Sequence, residues 1–215
     1  MVHILSENNS ILSNFLAEIR DNKIQKDSMR FRRNMERIGE ILAYELSKTF
    51  NYDKHIITTP LGEAECNLIT NQPVIGTILR AGLPLHQGVL NYFDQAENAF
   101  ISAYRKHTTA EDFEIEIEYL SSPLLTDKTL ILCDPMMATG ASMVKAYKAL
   151  MERGTPEKTH IVSAIASAEG IKYVKRHLPA NTTFWVADVD KELTAHAYIV
   201  PGLGDAGDLA YGSKD

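Results

Sequence analysis

Leu130-Ile-Leu-Cys-Asp-Pro-Met-Met-Ala-Thr-Gly-Ala-Ser142 is the stretch from which the rest of the chain can be read. A short apolar run ends in an acid, as suits a strand buried on both faces. Beyond Gly140, apolar residues fall at Met143, Val144, Tyr147, Leu150 and Met151, which is helical spacing, and Gly154 and Pro156 stop that helix. A strand, a tight loop of small residues and a helix N-terminus make an anion site. Unpaired backbone N–H groups and the positive end of the helix dipole converge there. Thr139 and Ser142 add hydroxyl donors, and Gly140 lets a ligand approach the backbone. The carboxylate of Asp134 repels phosphate but suits vicinal hydroxyls. Phosphate and sugar hydroxyls together spell a ribose 5-phosphate. For a bare Asp with Thr-Gly, a capped turn in an ordinary strand–helix connection is the better reading. The nine positions from Asp134 to Ser142 are more specific than that.

Composition bounds the rest. A chain of 215 residues, 45% hydrophobic and 23% charged, fits one α/β domain with a proper core. The net charge of −6 argues against a nucleic-acid partner but leaves room for an anionic small molecule, which needs only local positive charge. Two cysteines, Cys66 and Cys133, are too few for a disulfide framework and have no metal-ligand spacing. Glu7 and Asn8 stand where a signal peptide would need its apolar core, and no apolar run reaches membrane-spanning length. The expectation is a soluble, cytoplasmic protein without membrane or nucleic-acid partners.

Asp134-Pro-Met-Met-Ala-Thr-Gly-Ala-Ser142 resembles the phosphoribosyl-diphosphate signature of the type I phosphoribosyltransferases. Pro135 stands where the general signature has a second acid, which resembles the uracil phosphoribosyltransferase branch. The resemblance implies that Asp134, Pro135, Met136, Met137, Ala138, Thr139, Gly140, Ala141 and Ser142 bind the phosphoribosyl substrate.

Before this motif, residues 10–20 read as a short amphipathic helix. A longer one starts near Ser28, capped by Asp27 or Ser28, with Phe31, Met35, Ile38, Leu42, Leu46 and Phe50 as its buried stripe. Arg30, Arg32 and Arg33 read better as a solvated face than as a ligand site. Short strands at His55–Thr59 and Ala64–Thr70 join around Pro60-Leu61-Gly62. Pro73–Leu79 is a second buried strand, followed by Arg80-Ala-Gly-Leu-Pro84 and a helix from Leu85 to Phe93. Arg80 offers a fixed charged fork and Gly82 lets amides turn to a ligand, again an anion site. Ile78–Leu83 resembles the diphosphate loop of the uracil branch, where Gly-Met commonly follows and here Pro84-Leu85 does. Tyr104-Arg105 matches the arginine at the base of that family's flexible arm, which implies a diphosphate contact for Arg105. Phe113, Ile115, Ile117 and Tyr119 alternate with three glutamates, the period of a half-buried strand whose single apolar face needs a cover.

Glu157–Ala168, Gly170–Leu178 and Thr182–Asp188 continue the alternation as strand, helix and strand. The expected fold is α/β, a doubly wound, mostly parallel sheet flanked by helices, with a projecting β-arm and N-terminal helices. One domain spans 1–215, with a helical segment over 1–54, the arm over 105–124 and a base-binding loop over 197–212. The tail from Ala197 to Asp208 is rich in glycine and includes Pro201, so neither helix nor strand is expected. It resembles the most specific signature of the uracil branch. That implies uracil contacts at Ile199, Gly204 and Ala206, and at Asp205 a contact shared with the phosphoribosyl substrate.

The resemblance covers nearly the whole chain. It implies an enzyme, a pentosyltransferase that converts uracil and 5-phospho-α-D-ribose 1-diphosphate to UMP and diphosphate. Arg80, Arg105, Asp134 and Asp205 are the expected catalytic set. Mg²⁺ is the expected cofactor, held by diphosphate and water with no protein metal ligand expected. A homodimer or higher homo-oligomer is expected, and GTP is raised as an activator. The uracil N1 is the nucleophile, so no Ser, Cys or His nucleophile is needed, and the histidines form no cluster with Cys or Asp. Two rivals share the fold: an RNA-binding regulator, which a test of transcript affinity would separate, and a transferase for another base, against which the tail speaks.

Overall fold

The computed structural model describes residues 1–107 and 113–213, with the backbone alone for 104–107 and 113–115. The chain opens with β1 (Val2–Ile4), α1 (Leu12–Arg20) and α2 (Ser28–Ser47). A separate hairpin follows, β2 (Tyr52–Thr59) and β3 (Gly62–Ile69). Then come β4 (Val74–Leu79), α3 (Leu83–Leu90), β5 (Glu97–His107), β6 (Phe113–Ser121), β7 (Thr129–Cys133) and β8 (Met136–Met137). The chain closes with α4 (Ala141–Leu150), β9 (Lys158–Ser167), α5 (Ala168–His177), β10 (Thr183–Asp190), β11 (Glu192–Leu193), β12 (Ile199–Val200) and α6 (Ala206–Tyr211).

The main sheet runs β1-β10-β9-β7-β4-β5-β6, and β8 joins β9 beyond the end of β7. Every pairing in it is parallel except β5 with β6. β7 shows why such a strand is apolar throughout. Leu130 and Leu132 enter the core under α4 and α5, while Ile131 and Cys133 enter the core under α1, α2 and α3. Both faces are covered, as in a doubly wound fold. The α2 stripe of Phe31, Met35, Ile38, Leu42 and Leu46 is wholly buried, each side chain stabilising the fold by roughly 2 kcal/mol relative to exposure. Asp27 caps this helix, its carboxylate accepting the Arg30 N–H at 3.1 Å.

Three departures from the sequence reading have physical causes. Val2–Ile4 adds an edge strand, too short for its period to be read. In β6 the expected single apolar face is broken: Ile117 lies opposite Ala103 but Tyr119 lies opposite Ser102, leaving Glu118 as an extra residue. Such a bulge turns the side chains beyond it to the other face. Ile117 accordingly packs against the core while Tyr119 stays 54% exposed. The tail, expected to have no regular structure, contains β12 and α6. Gly202, Gly204 and Pro201 fall between these short elements and make the turns, leaving Ile199–Val200 free to pair with Glu192–Leu193, while Gly207 lies inside α6.

Candidate active site

The order of strands places a crevice. From β4 the chain passes through α3 to β5 on one side, and from β7 through α4 to β9 on the other. α3 and α4 pack on opposite faces of the sheet. In open α/β sheets the carboxyl ends of strands at such a reversal form the ligand crevice. Arg80 is the first residue past β4, and Asp134 the first past β7, its neighbour. Asp134 keeps some surface, yet the protein around it pushes the carboxyl up to about 7, opposed by a long hydrogen bond from the Met136 N–H at 3.5 Å. Neighbouring Cys133 is fully buried and its thiol is pushed up by that burial, then by the Asp134 charge.

After Asp134 the chain does not leave the sheet at once. The Pro135 carbonyl accepts the Ile165 N–H at 3.0 Å, and Met136 and Met137 pair with β9. The Met137 side chain belongs to the core. The Thr139 hydroxyl accepts the Ala141 N–H at 3.3 Å. Gly140 then opens α4 with φ 80°, where a Cβ would meet the Gly170 carbonyl oxygen at 2.9 Å, so only glycine fits. Ala141 and Ser142 form the first turn of α4 and are partly exposed. The loop is held from beneath. Ser167 Oγ donates to the Ala138 carbonyl at 2.5 Å and accepts the Gly170 N–H at 2.8 Å, capping α5 with the same atom.

The tail reaches the same crevice. The Arg80 guanidinium donates to the Gly212 carbonyl at 2.6 Å and to Asp208 at 3.3 Å, joining the β4 loop to α6. Asp205 caps α6, accepting the Gly207 and Asp208 N–H groups at 2.8 and 3.0 Å. Ile199 and Ala206 have buried side chains, so only their backbones could meet a ligand, and Gly204 is exposed with φ 95°. Arg105 lies in β5 where that strand has outrun β4, whose pairing stops at Ser102. Its side chain lies outside the described residues.

A family model described as "Uracil phosphoribosyltransferase" matches residues 6–213. The chain belongs to the uracil phosphoribosyltransferase family. Among its relatives is a uracil phosphoribosyltransferase of Porphyromonas gingivalis, 55% identical over 214 residues that make up 100% of this chain and 99% of the relative. Another, from Pyrococcus furiosus, is 37% identical across 96% of this chain and 88% of its own. A solved protein of Aquifex aeolicus has a TM-score of 0.86 at 28% identity, covering 99% of this chain and 98% of that one. A hypoxanthine phosphoribosyltransferase of Staphylococcus aureus, at TM-score 0.51 and 15% identity over 86% of this chain and 83% of its own, shares the fold.

Within this uracil phosphoribosyltransferase fold, several shaping residues carry no motif. Ser167 is one. Arg32 is another: its guanidinium donates to the Ala210 carbonyl at 2.6 Å, so this part of the basic patch grips the end of α6 rather than facing solvent. Arg30 pairs with Glu18 and Arg33 with Glu36. Among the described residues, no group of three His, Cys, Asp or Glu could hold a metal, and no helix is long and apolar enough to cross a membrane.

Proposed function

We propose that the crevice between β4 and β7 binds 5-phospho-α-D-ribose 1-diphosphate and that the C-terminal loop reads uracil beside it. The reaction is uracil + 5-phospho-α-D-ribose 1-diphosphate → UMP + diphosphate, a pentosyl transfer of pyrimidine salvage. The observation that carries this reading is the meeting of three separate stretches at one sheet edge: Arg80 past β4, Asp134 past β7, and α6 bonded to Arg80.

In this reading the residues from Met137 to Ser142 hold the 5-phosphate at the start of α4, and Asp134 accepts from the ribose hydroxyls. Uracil N1 attacks the anomeric carbon as the bond to the diphosphate oxygen breaks, and the N1 proton is given up to the departing diphosphate. The sugar gains positive charge and the leaving group negative charge, so the protein's task is positioning and electrostatics. Arg80 and Arg105 take the departing diphosphate, Arg80 by exchanging Gly212 and Asp208 for it. Asp205 orders the loop whose backbone at Ile199, Gly204 and Ala206 meets the base edge. A peptide chain offers donors and acceptors at fixed spacing, as an alternating base edge requires.

Mg²⁺ would neutralise diphosphate charge when bound. The donor set suits a cation brought in by diphosphate and water, with Asp134 past β7 and Asp208 beside Arg80 as carboxylates at that edge. Two free cysteines fit a reducing cytoplasm. The exposed β2–β3 hairpin supports a homodimer or larger homo-oligomer. GTP as an activator rests on the resemblance alone, and turnover with and without GTP tests it. Diphosphate release measured with a panel of bases tests the main reading. Release with uracil is expected; release with hypoxanthine and none with uracil would overturn it.

A further inference from the structure

We propose that Arg20, the last residue of α1, is a positioning residue for base recognition. It fixes the turn at Gly202 from which the Gly204–Ala206 backbone is presented. This rests on the reading of the C-terminal loop as the uracil site.

The geometry is specific. Arg20 NH1 donates to Asp190 at 2.9 Å and to the Gly202 carbonyl at 2.8 Å, while NH2 donates to Asp188 at 2.7 Å and to Asp190 at 3.0 Å. Asp190 in turn accepts the Gly202 N–H at 3.0 Å. Both polar backbone atoms of Gly202 are therefore held, one by Arg20 and one by its partner. The side chains of Arg20 and Asp190 are 19% and 8% exposed, so water competes little. Gly202 has φ 57°, and a Cβ there would collide with the Ile199 carbonyl, so the turn between β12 and the Gly204 loop has one shape. Ser6 donates to Asp188 at 2.7 Å and steadies the far side of the cluster. A simple tether between α1 and β10 would need only one arginine–aspartate pair. The second acid and the grip on Gly202 aim the network at the loop.

Arg20→Lys keeps the charge but cannot reach all three acceptors, because a lysine lacks the planar fork. Its KM for uracil is expected to rise about tenfold, with kcat and the KM for the sugar diphosphate changed less than about twofold. Adding guanidinium to Arg20→Ala is expected to restore the uracil KM. Asp190→Asn, which keeps an acceptor for the Gly202 N–H, is the second variant should Arg20→Lys fail to fold, and the same split is expected. Gly204→Ala separates the two claims: a Cβ there meets no neighbouring atom but strains a backbone held at φ 95°, so it disturbs the Gly204–Ala206 presentation without touching the Arg20 network. An unchanged uracil KM in Gly204→Ala would overturn the loop reading itself. A raised uracil KM in Gly204→Ala with an unchanged one in folded Arg20→Lys or Asp190→Asn would overturn the role of Arg20 alone. A parallel rise in both KM values in those variants would also overturn it.

Discussion

At the scale of the residue, Asp134 joins a charge state to a task. Its carboxyl is pushed up to about 7 by burial, whereas an unfolded aspartate ionises near 3.8. Between those values the native state holds a proton that the unfolded chain has released. Each rise in pH across the window therefore costs the folded state, and the effect is present in full below about pH 4 and lost as pH rises through about 7. Asp134→Asn cannot titrate, so unfolding curves of the free protein from pH 4 to 7 should show a shallower decline for the variant. The same variant should keep the fold and lose roughly 10²-fold in turnover at saturating substrates, because an amide accepts less strongly from ribose hydroxyls than a carboxylate. Wild-type turnover in a folded Asp134→Asn would refute its role.

Elements matter here through what holds the loops between them. Ser167 ends β9, caps α5 and bonds the Ala138 carbonyl, so one hydroxyl ties the phosphate loop to the sheet. Ser167→Ala should cost about 1 kcal/mol in chemical denaturation, as the loss of a helix cap does. It should also raise the KM for the sugar diphosphate more than that for uracil; a stability loss with neither KM altered would confine Ser167 to folding. The strand, loop and helix from Leu130 to Leu150 were legible in the sequence, because burial on both faces and helical spacing leave patterns within a dozen residues. Ser167 left none, since serine in a strand looks like any other serine. Arg20 and its acids lie 168 and 170 residues apart, beyond any local period. The bulge in β6 hid behind an alternation that was correct on paper, because only pairing with β5 shows which glutamate is extra. The tail misled in the opposite way: glycines that break long elements are compatible with a two-residue strand and a six-residue helix.

For the whole molecule, the β2–β3 hairpin is an apolar surface left uncovered among the described residues. It stands apart from the main sheet, and Leu61 at its tip is wholly exposed, with Ile56 at 71% and Leu68 at 47%. Two strands alone bury too little to be stable in water, and the exposed pair of Lys54 with Glu65 adds little. Ile57 and Leu68 lie on one face and Ile56 on the other, as their pairing partners show, so a cover must wrap the hairpin rather than touch one side. A second copy meets that need with closed two-fold symmetry, each hairpin embracing the partner, and leaves no apolar edge to recruit further chains. The protein is therefore expected to be at least a dimer at micromolar concentration. Ile56→Asp combined with Leu61→Asp would bring two carboxylates into that contact and should dissociate it, because a buried unpaired charge is costly. Neither residue touches the crevice, so any loss of activity in the double variant would report on assembly. Light scattering on the wild type and the double variant decides the matter: a monomeric, fully active wild type would sink the idea.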